Sequence, residues 1–118
     1  MDRARELCDL ASRAADDKKA RAIMRIDLTD VSVMCDHFVV CSGGSPAQVR
    51  AIADHVVDEW QAAGVRDIKQ EGQQEASWVL IDCGLVVVHV MRDEVREFYA
   101  LEQLWGKGRL EPWQAVSA

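Results

Sequence analysis

Few groupings in this 118-residue chain have the residue types and spacing for covalent chemistry. The first is Ser42-Gly43-Gly44-Ser45, a glycine-rich turn between an apolar run and a helical one. Backbone amides at a helix N-terminus attract anions, so such a turn can cradle a phosphate. It lacks the Lys of a P-loop and the glycine spacing of a dinucleotide site. Nucleotidyl transfer would need such a Gly-Ser turn followed by two carboxylates alternating on a strand, to hold magnesium. Asp82 supplies one, but its alternation partners are Leu80 and Gly84, so the second is missing. A nucleotidyltransferase-like enzyme built on this turn stays open as the alternative reading, and it requires nucleotide and magnesium near Ser42 to Ser45.

Other chemistries have less support. There is no G-x-S-x-G, and no His is placed to activate a particular Ser or Cys. Asp82 and His89 are spaced to pair across a sheet or near its rim, where a structural hydrogen bond is their expected use. Cys8, Cys35, Cys41 and Cys83 show no C-x-x-C spacing. Cys35, His37 and Cys41 share a strand parity, yet three ligands without a fourth make a poor structural zinc site. Buried, unreactive thiols are expected, with no catalytic residue, no metal and no cofactor.

Composition narrows the partner class. Twenty acidic against fourteen basic residues leave a formal charge of −6. A protein held mainly by phosphate contacts needs a basic face, so little direct nucleic acid contact is expected. No apolar run reaches the length of a membrane span, and MDRARELCDL is too charged for a signal peptide. These features, with unpaired thiols, suit a cytoplasmic protein. The length suits one domain over residues 1–118.

The elements that must position these residues follow from periodicity. Leu7, Leu10, Ala11 and Ala14 recur at helical spacing within residues 2–17. Strands are expected over 22–28 and 37–42. Ser45, Pro46 and Gln48 make a strong helix start, with a capping serine, a proline at the first position and a capping-box partner. Val49, Ile52, Ala53, Val56, Val57, Trp60 and Ala63 continue that helix to Gly64. Residues 65–71 read as a polar edge strand. A hairpin spans Trp78 to Met91, and Asp93 starts a last helix that Gly106 stops. Residues 107–118 have no periodicity and read as an irregular tail. The order is αββαβββα, a mixed sheet with flanking helices of class α/β or α+β, because only the connection through the Ser45 helix can make a parallel crossover.

The hairpin is the organising element. Its tight turn at Cys83-Gly84 puts Trp78, Leu80 and Asp82 on one face with Val87, His89 and Met91. The other face carries Val79, Ile81, Val86, Val88 and Val90, smooth and aliphatic. The Trp-containing face has the anchor chemistry of a binding surface. Burial of both faces under helices is the competing reading.

The motifs then resemble a family. Asp36-His37-Phe38-Val39-Val40-Cys41-Ser42-Gly43-Gly44-Ser45, Gln48-Val49 and Ala51-Ile52-Ala53-Asp54 are similar to the first signature of the ribosomal silencing factor (Iojap-like) proteins. Glu71-Gly72, Trp78 to Asp82, Val86 to Met91, Arg96, Phe98-Tyr99, Leu101-Glu102 and Leu104-Trp105 resemble the second. The resemblance implies a nucleotidyltransferase-like fold without the catalytic carboxylates, and a bacterial or organellar factor, not an enzyme. It implies binding to the large ribosomal subunit through ribosomal protein fourteen and steric blocking of small-subunit joining under nutrient limitation; members of the family often look like homodimers when isolated, so a homodimer is possible when free. Two positions depart from the family pattern: His37 stands where an aromatic is common, and Leu85 replaces an Asp at the hairpin tip. Combining motif and hairpin, the expected partner-binding residues are Trp78, Leu80, Asp82, Val87, His89, Met91, Arg96 and Tyr99. Trp78 and Leu80 would be the anchors.

Overall fold

A computed structural model describes residues 2–30, 35–99 and 109–113, with the side chains of residues 98, 99, 109 and 110 outside that description. The elements are α1 (Arg3–Asp17), β1 (Arg21–Asp27), β2 (His37–Gly43), α2 (Pro46–Ala62), β3 (Lys69–Glu71), β4 (Trp78–Asp82), β5 (Val86–Arg92), α3 (Asp93–Tyr99) and β6 (Arg109–Pro112). The expected αββαβββα order holds through Tyr99. The correction lies in the tail, where four residues form a sixth strand.

Each helix starts where its capping chemistry places it. The Asp2 carboxylate accepts from the amides of Ala4 and Arg5 ahead of α1. Ser45 Oγ accepts from Gln48 N ahead of α2, and Pro46 occupies the first turn. Gln48 does not return to the Ser45 amide, as a capping box would. Its Oε1 accepts from Gly44 N at 2.7 Å, while its Nε2 donates to the carbonyls of Lys18 and Lys19.

The six strands lie in the order β3-β4-β5-β2-β1-β6. Only β2 and β5 run parallel, and α2, β3 and β4 lie between them in the chain. That is the crossover expected from the helical connection. β3 is three residues long and sits at the sheet edge, shorter than residues 65–71 promised. At the opposite edge β6 pairs with β1 from Met24↔Pro112 to Asp27↔Arg109. Side chains help to seat it: Arg25 bonds Asp9 of α1 at 2.6 Å and Glu111 of β6 at 3.4 Å. Trp113 follows, its amide donating to the Ile23 carbonyl at 2.9 Å.

The sheet separates two cores. Leu7, Cys8, Ala11, Val49, Ile52, Val56 and Trp60 from α1 and α2 pack on Val39, Cys41, Val79, Ile81, Val86, Val88 and Val90. The opposite face gathers Ile26, Leu28, Phe38, Val40, Val87 and Met91, with Met24, Cys35, Trp78, Leu80 and Val95 packed around them. Both long helices therefore serve the aliphatic face, and α3 reaches the other through Val95. Cys35 and Cys41 fall in different cores, which removes the Cys35–His37–Cys41 metal grouping. Burial pushes the thiols of Cys8 and Cys41 up to about 12.

Trp60 ties the two long helices together. It is fully buried, and its indole N–H donates to the Leu7 carbonyl at 3.0 Å. Trp60→Ala should lower unfolding free energy by about 3–5 kcal/mol, from the cavity and the lost hydrogen bond between the helices. Urea denaturation of the purified variant checks this.

Candidate functional site

The hairpin register decides which side chains share a face. Trp78 pairs with Met91, Leu80 with His89, and Asp82 with Val87. The ladder continues one step further, since Cys83 N donates to Val86 O at 3.1 Å. The turn is therefore Gly84-Leu85, one position beyond the expected Cys83-Gly84. Both loops have two residues, so the faces are unchanged. Gly84 takes φ +94, where a glycine is at ease. Asp82 closes the turn by accepting from Gly84 N at 2.7 Å.

Depth varies across this face. Met91 is fully buried, and His89 and Val87 keep 5% and 9% of their surface. Trp78, Leu80 and Asp82, all on β4, are half-buried. The patch is thus a half-buried β4 strip resting on a β5 floor. Arg96 on α3 is half-buried, and its guanidinium donates to the Arg21 carbonyl at 3.4 Å. Tyr99 lies in α3, but its side chain is outside the described residues.

His89 is the polar centre of the floor. The expected Asp82–His89 pairing does not occur: Asp82 lies opposite Val87 and caps its own turn. Trp78 takes its place, with the indole N–H donating to His89 Nδ1 at 3.1 Å. This bond leaves the imidazole proton on Nε2, which is buried with no hydrogen-bond partner among the described residues. Phe38 packs its ring edge-to-face on the imidazole, with centroids 4.6 Å apart. Burial lowers the His89 pKa to about 4, so the ring is neutral at physiological pH.

The loop before β4 aims Trp78. Gly72 takes φ +89, and a Cβ there would stand 2.2 Å from the Trp78 carbonyl oxygen. Arg50 on α2 clamps the same loop, donating to the carbonyls of Gln73 at 3.1 Å and Gln74 at 2.6 Å. Neither role was visible in the sequence. Arg50 lies on the wet side of its helix, and nothing local pairs it with a loop over twenty residues away.

The glycine-rich turn is occupied by its own chain. The Gly44 amide is taken by Gln48, and Arg21 pairs with Asp93 alongside at 3.0 Å. Asp82 is remote from that turn: Val87, its partner, lies five residues along β5 from Arg92, the partner of Gly43. At the usual strand rise that is about 16 Å, too far to share a metal with a phosphate on the turn. Among the described residues, Asp17, His55 and Glu59 bring donor atoms within 4.8 Å of one another. His55 already bonds Asp17 at 3.0 Å, bracing α2 against the end of α1.

The chain is thus a two-cored mixed sheet with its long helices on one side and a half-buried, Trp-centred strip at the margin of the other. The family model described as "Ribosomal silencing factor during starvation" matches residues 1–117. The chain is 42% identical over 106 residues to the ribosomal silencing factor of Bacillus subtilis, covering 90% of each chain. It superposes on the crystal structure of a Chromobacterium violaceum protein with a TM-score of 0.85 and 39% identity, covering 100% of this chain and 96% of that one. It is also 33% identical over 91 residues to the mouse protein named mitochondrial assembly of ribosomal large subunit protein 1, covering 75% of this chain and 40% of that one. This chain belongs to the ribosomal silencing factor family.

Two expectations follow from the site. Gly72→Ala should cost on the order of 2 kcal/mol in unfolding free energy, because strain and the clash at Trp78 add; a midpoint shift in chemical denaturation reads this. His89 gives a pH signature. Its folded-state pKa of about 4 lies below the ordinary 6.5, so the unfolded chain binds the proton first. Stability is full above about pH 6.5, falls as pH drops toward 4, and loses about 3 kcal/mol in all. His89→Phe should flatten the stability profile across that window relative to the parent protein.

Proposed function

We propose that this protein represses translation by binding the large ribosomal subunit through ribosomal protein fourteen. The bound factor would stand where the small subunit must join, lowering translation when nutrients are scarce. Family membership and the mouse relative's name support the choice of subunit. The observation that carries the docking surface is the half-buried Trp78-Leu80-Asp82 strip, on the face opposite α1 and α2. Trp78 and Leu80 are the anchors, Val87 and Met91 support them from beneath, and Asp82, Arg96 and Tyr99 supply polar contacts at the rim. Burial of an aromatic anchor within a ring of weaker contacts is the usual energetic pattern of such a surface.

The activity needs no catalytic residue, so the reading is of a steric factor and not an enzyme. It acts in the cytoplasm of a bacterium. No helix among the described residues is long and apolar enough to cross a membrane. If the free protein is a homodimer sharing this face, it must open to bind, and sedimentation with and without the ribosomal partner reads that exchange.

Trp78→Ala should weaken binding to purified large subunits by about 2 kcal/mol or more, roughly thirty-fold, while the variant stays folded. Pull-down with large subunits measures it, and unchanged retention would move the docking site elsewhere. In a reconstituted system, the parent protein should reduce subunit joining and Trp78→Ala should restore it.

A further inference from the structure

The polar centre of this face is too deep to be a contact. His89 keeps 5% of its surface, beneath a strip whose half-buried members are all on β4. Its Nδ1 accepts the Trp78 N–H at 3.1 Å, and Phe38 packs edge-to-face on the same ring. The Trp78 and His89 rings lie 5.9 Å apart between centroids, tilted by 49°. An indole on a strand has several staggered orientations, and a partner that fits one must wait for it unless the protein selects it. Here the selection is made at two points. Gly72, lacking a Cβ, admits the Trp78 carbonyl against its loop, and His89 gives the indole nitrogen one acceptor in one direction.

We propose that His89 is a positioning residue for docking: it does not touch the partner, and it acts by holding the Trp78 indole in the orientation the partner meets. This rests on the docking reading above. Because the N–H is spent internally, Trp78 meets its partner with its ring, so the partner offers an aliphatic side chain or a guanidinium there and not a hydrogen-bond acceptor. The neutral state enforced by burial suits this role, since a protonated Nδ1 would have no lone pair for the indole.

The test uses the full chain, purified large subunits and 15N-labelled indole resonances. His89→Asn places an amide oxygen near the Nδ1 position, and His89→Leu removes the acceptor. Trp78→Phe keeps a ring and removes the donor, and it also assigns the Trp78 indole signal by its loss. Expected are slow hydrogen exchange of the Trp78 N–H in the parent and in His89→Asn, and fast exchange in His89→Leu. Binding should fall about three- to ten-fold in His89→Leu, the worth of one hydrogen bond, and recover in His89→Asn. Added to Trp78→Phe, His89→Leu should cost nothing further, because the bond is already absent. Losses that add in the double variant, or unchanged binding in a folded His89→Leu, overturn the positioning role. If Trp78→Ala itself binds normally, the docking reading fails first. Should His89→Leu not fold, Trp78→Phe alone decides: unchanged binding without the donor overturns the proposal.

Discussion

The register of the β4–β5 hairpin is the constraint on which the rest of the molecule depends. Cys83 N bonds Val86 O, and from that point every pair is set, ending with Trp78 opposite Met91. Side chains alternate, so a one-residue slip of β4 against β5 would drive Trp78, Leu80 and Asp82 to the helix-covered face. The aliphatic core there has no partner for a carboxylate, and burying one unpaired is among the costliest changes a fold can suffer. β5 then passes the alternation to β2 by parallel pairing from His37↔Val86 to Gly43↔Arg92. Phe38 and Val40 thereby join the Trp-containing face, while Val39 and Cys41 join the helix-covered one.

The two faces divide the work. The aliphatic side supplies most of the burial and holds the helices, and Trp60 satisfies its one donor on the Leu7 carbonyl. The mixed side has less packing from long helices and more polar structure. Its groups are settled locally: Asp82 on its own turn, Trp78 on His89, and Arg96 on the Arg21 carbonyl. Sites built on strands and held by such bonds are more precise than sites on loops. The approach loop of β4 is held too, by the Arg50 clamp on the Gln73 and Gln74 carbonyls.

The departures at His37 and Leu85 sit together at the other end of the hairpin. The amides of Asp36 and His37 donate to the Leu85 carbonyl, so the tip depends on the backbone of residue 85 and not on its side chain. Leu85 projects with 40% of its surface exposed, the one large hydrophobic group so exposed among the described residues. His37 is buried beside it, with Nδ1 2.9 Å from the Asp36 carbonyl, and burial lowers its pKa. The residue type at position 85 therefore leaves the hairpin intact and changes only what its tip shows to solvent.

By itself the sequence determined what is local or periodic. The α2 start from Ser45 and Pro46, the helical stripe ending at Trp60, the hairpin and the membership of its two faces were all legible, because capping and alternation act within a few residues. The family signatures were legible for the same reason: they are runs of neighbours. Only the tertiary structure decided which partner each polar group takes. Asp82 and His89 looked like a pair, but the register set them apart and gave His89 to Trp78. Arg50 looked like a solvated surface charge until the Gly72 loop came within its reach. The tail looked irregular, since a four-residue edge strand has too short a pattern to detect and is held by β1 and Arg25, more than eighty residues away. Chain neighbours choose conformation, but contacts across the fold choose partners, and those depend on a register that no single stretch contains.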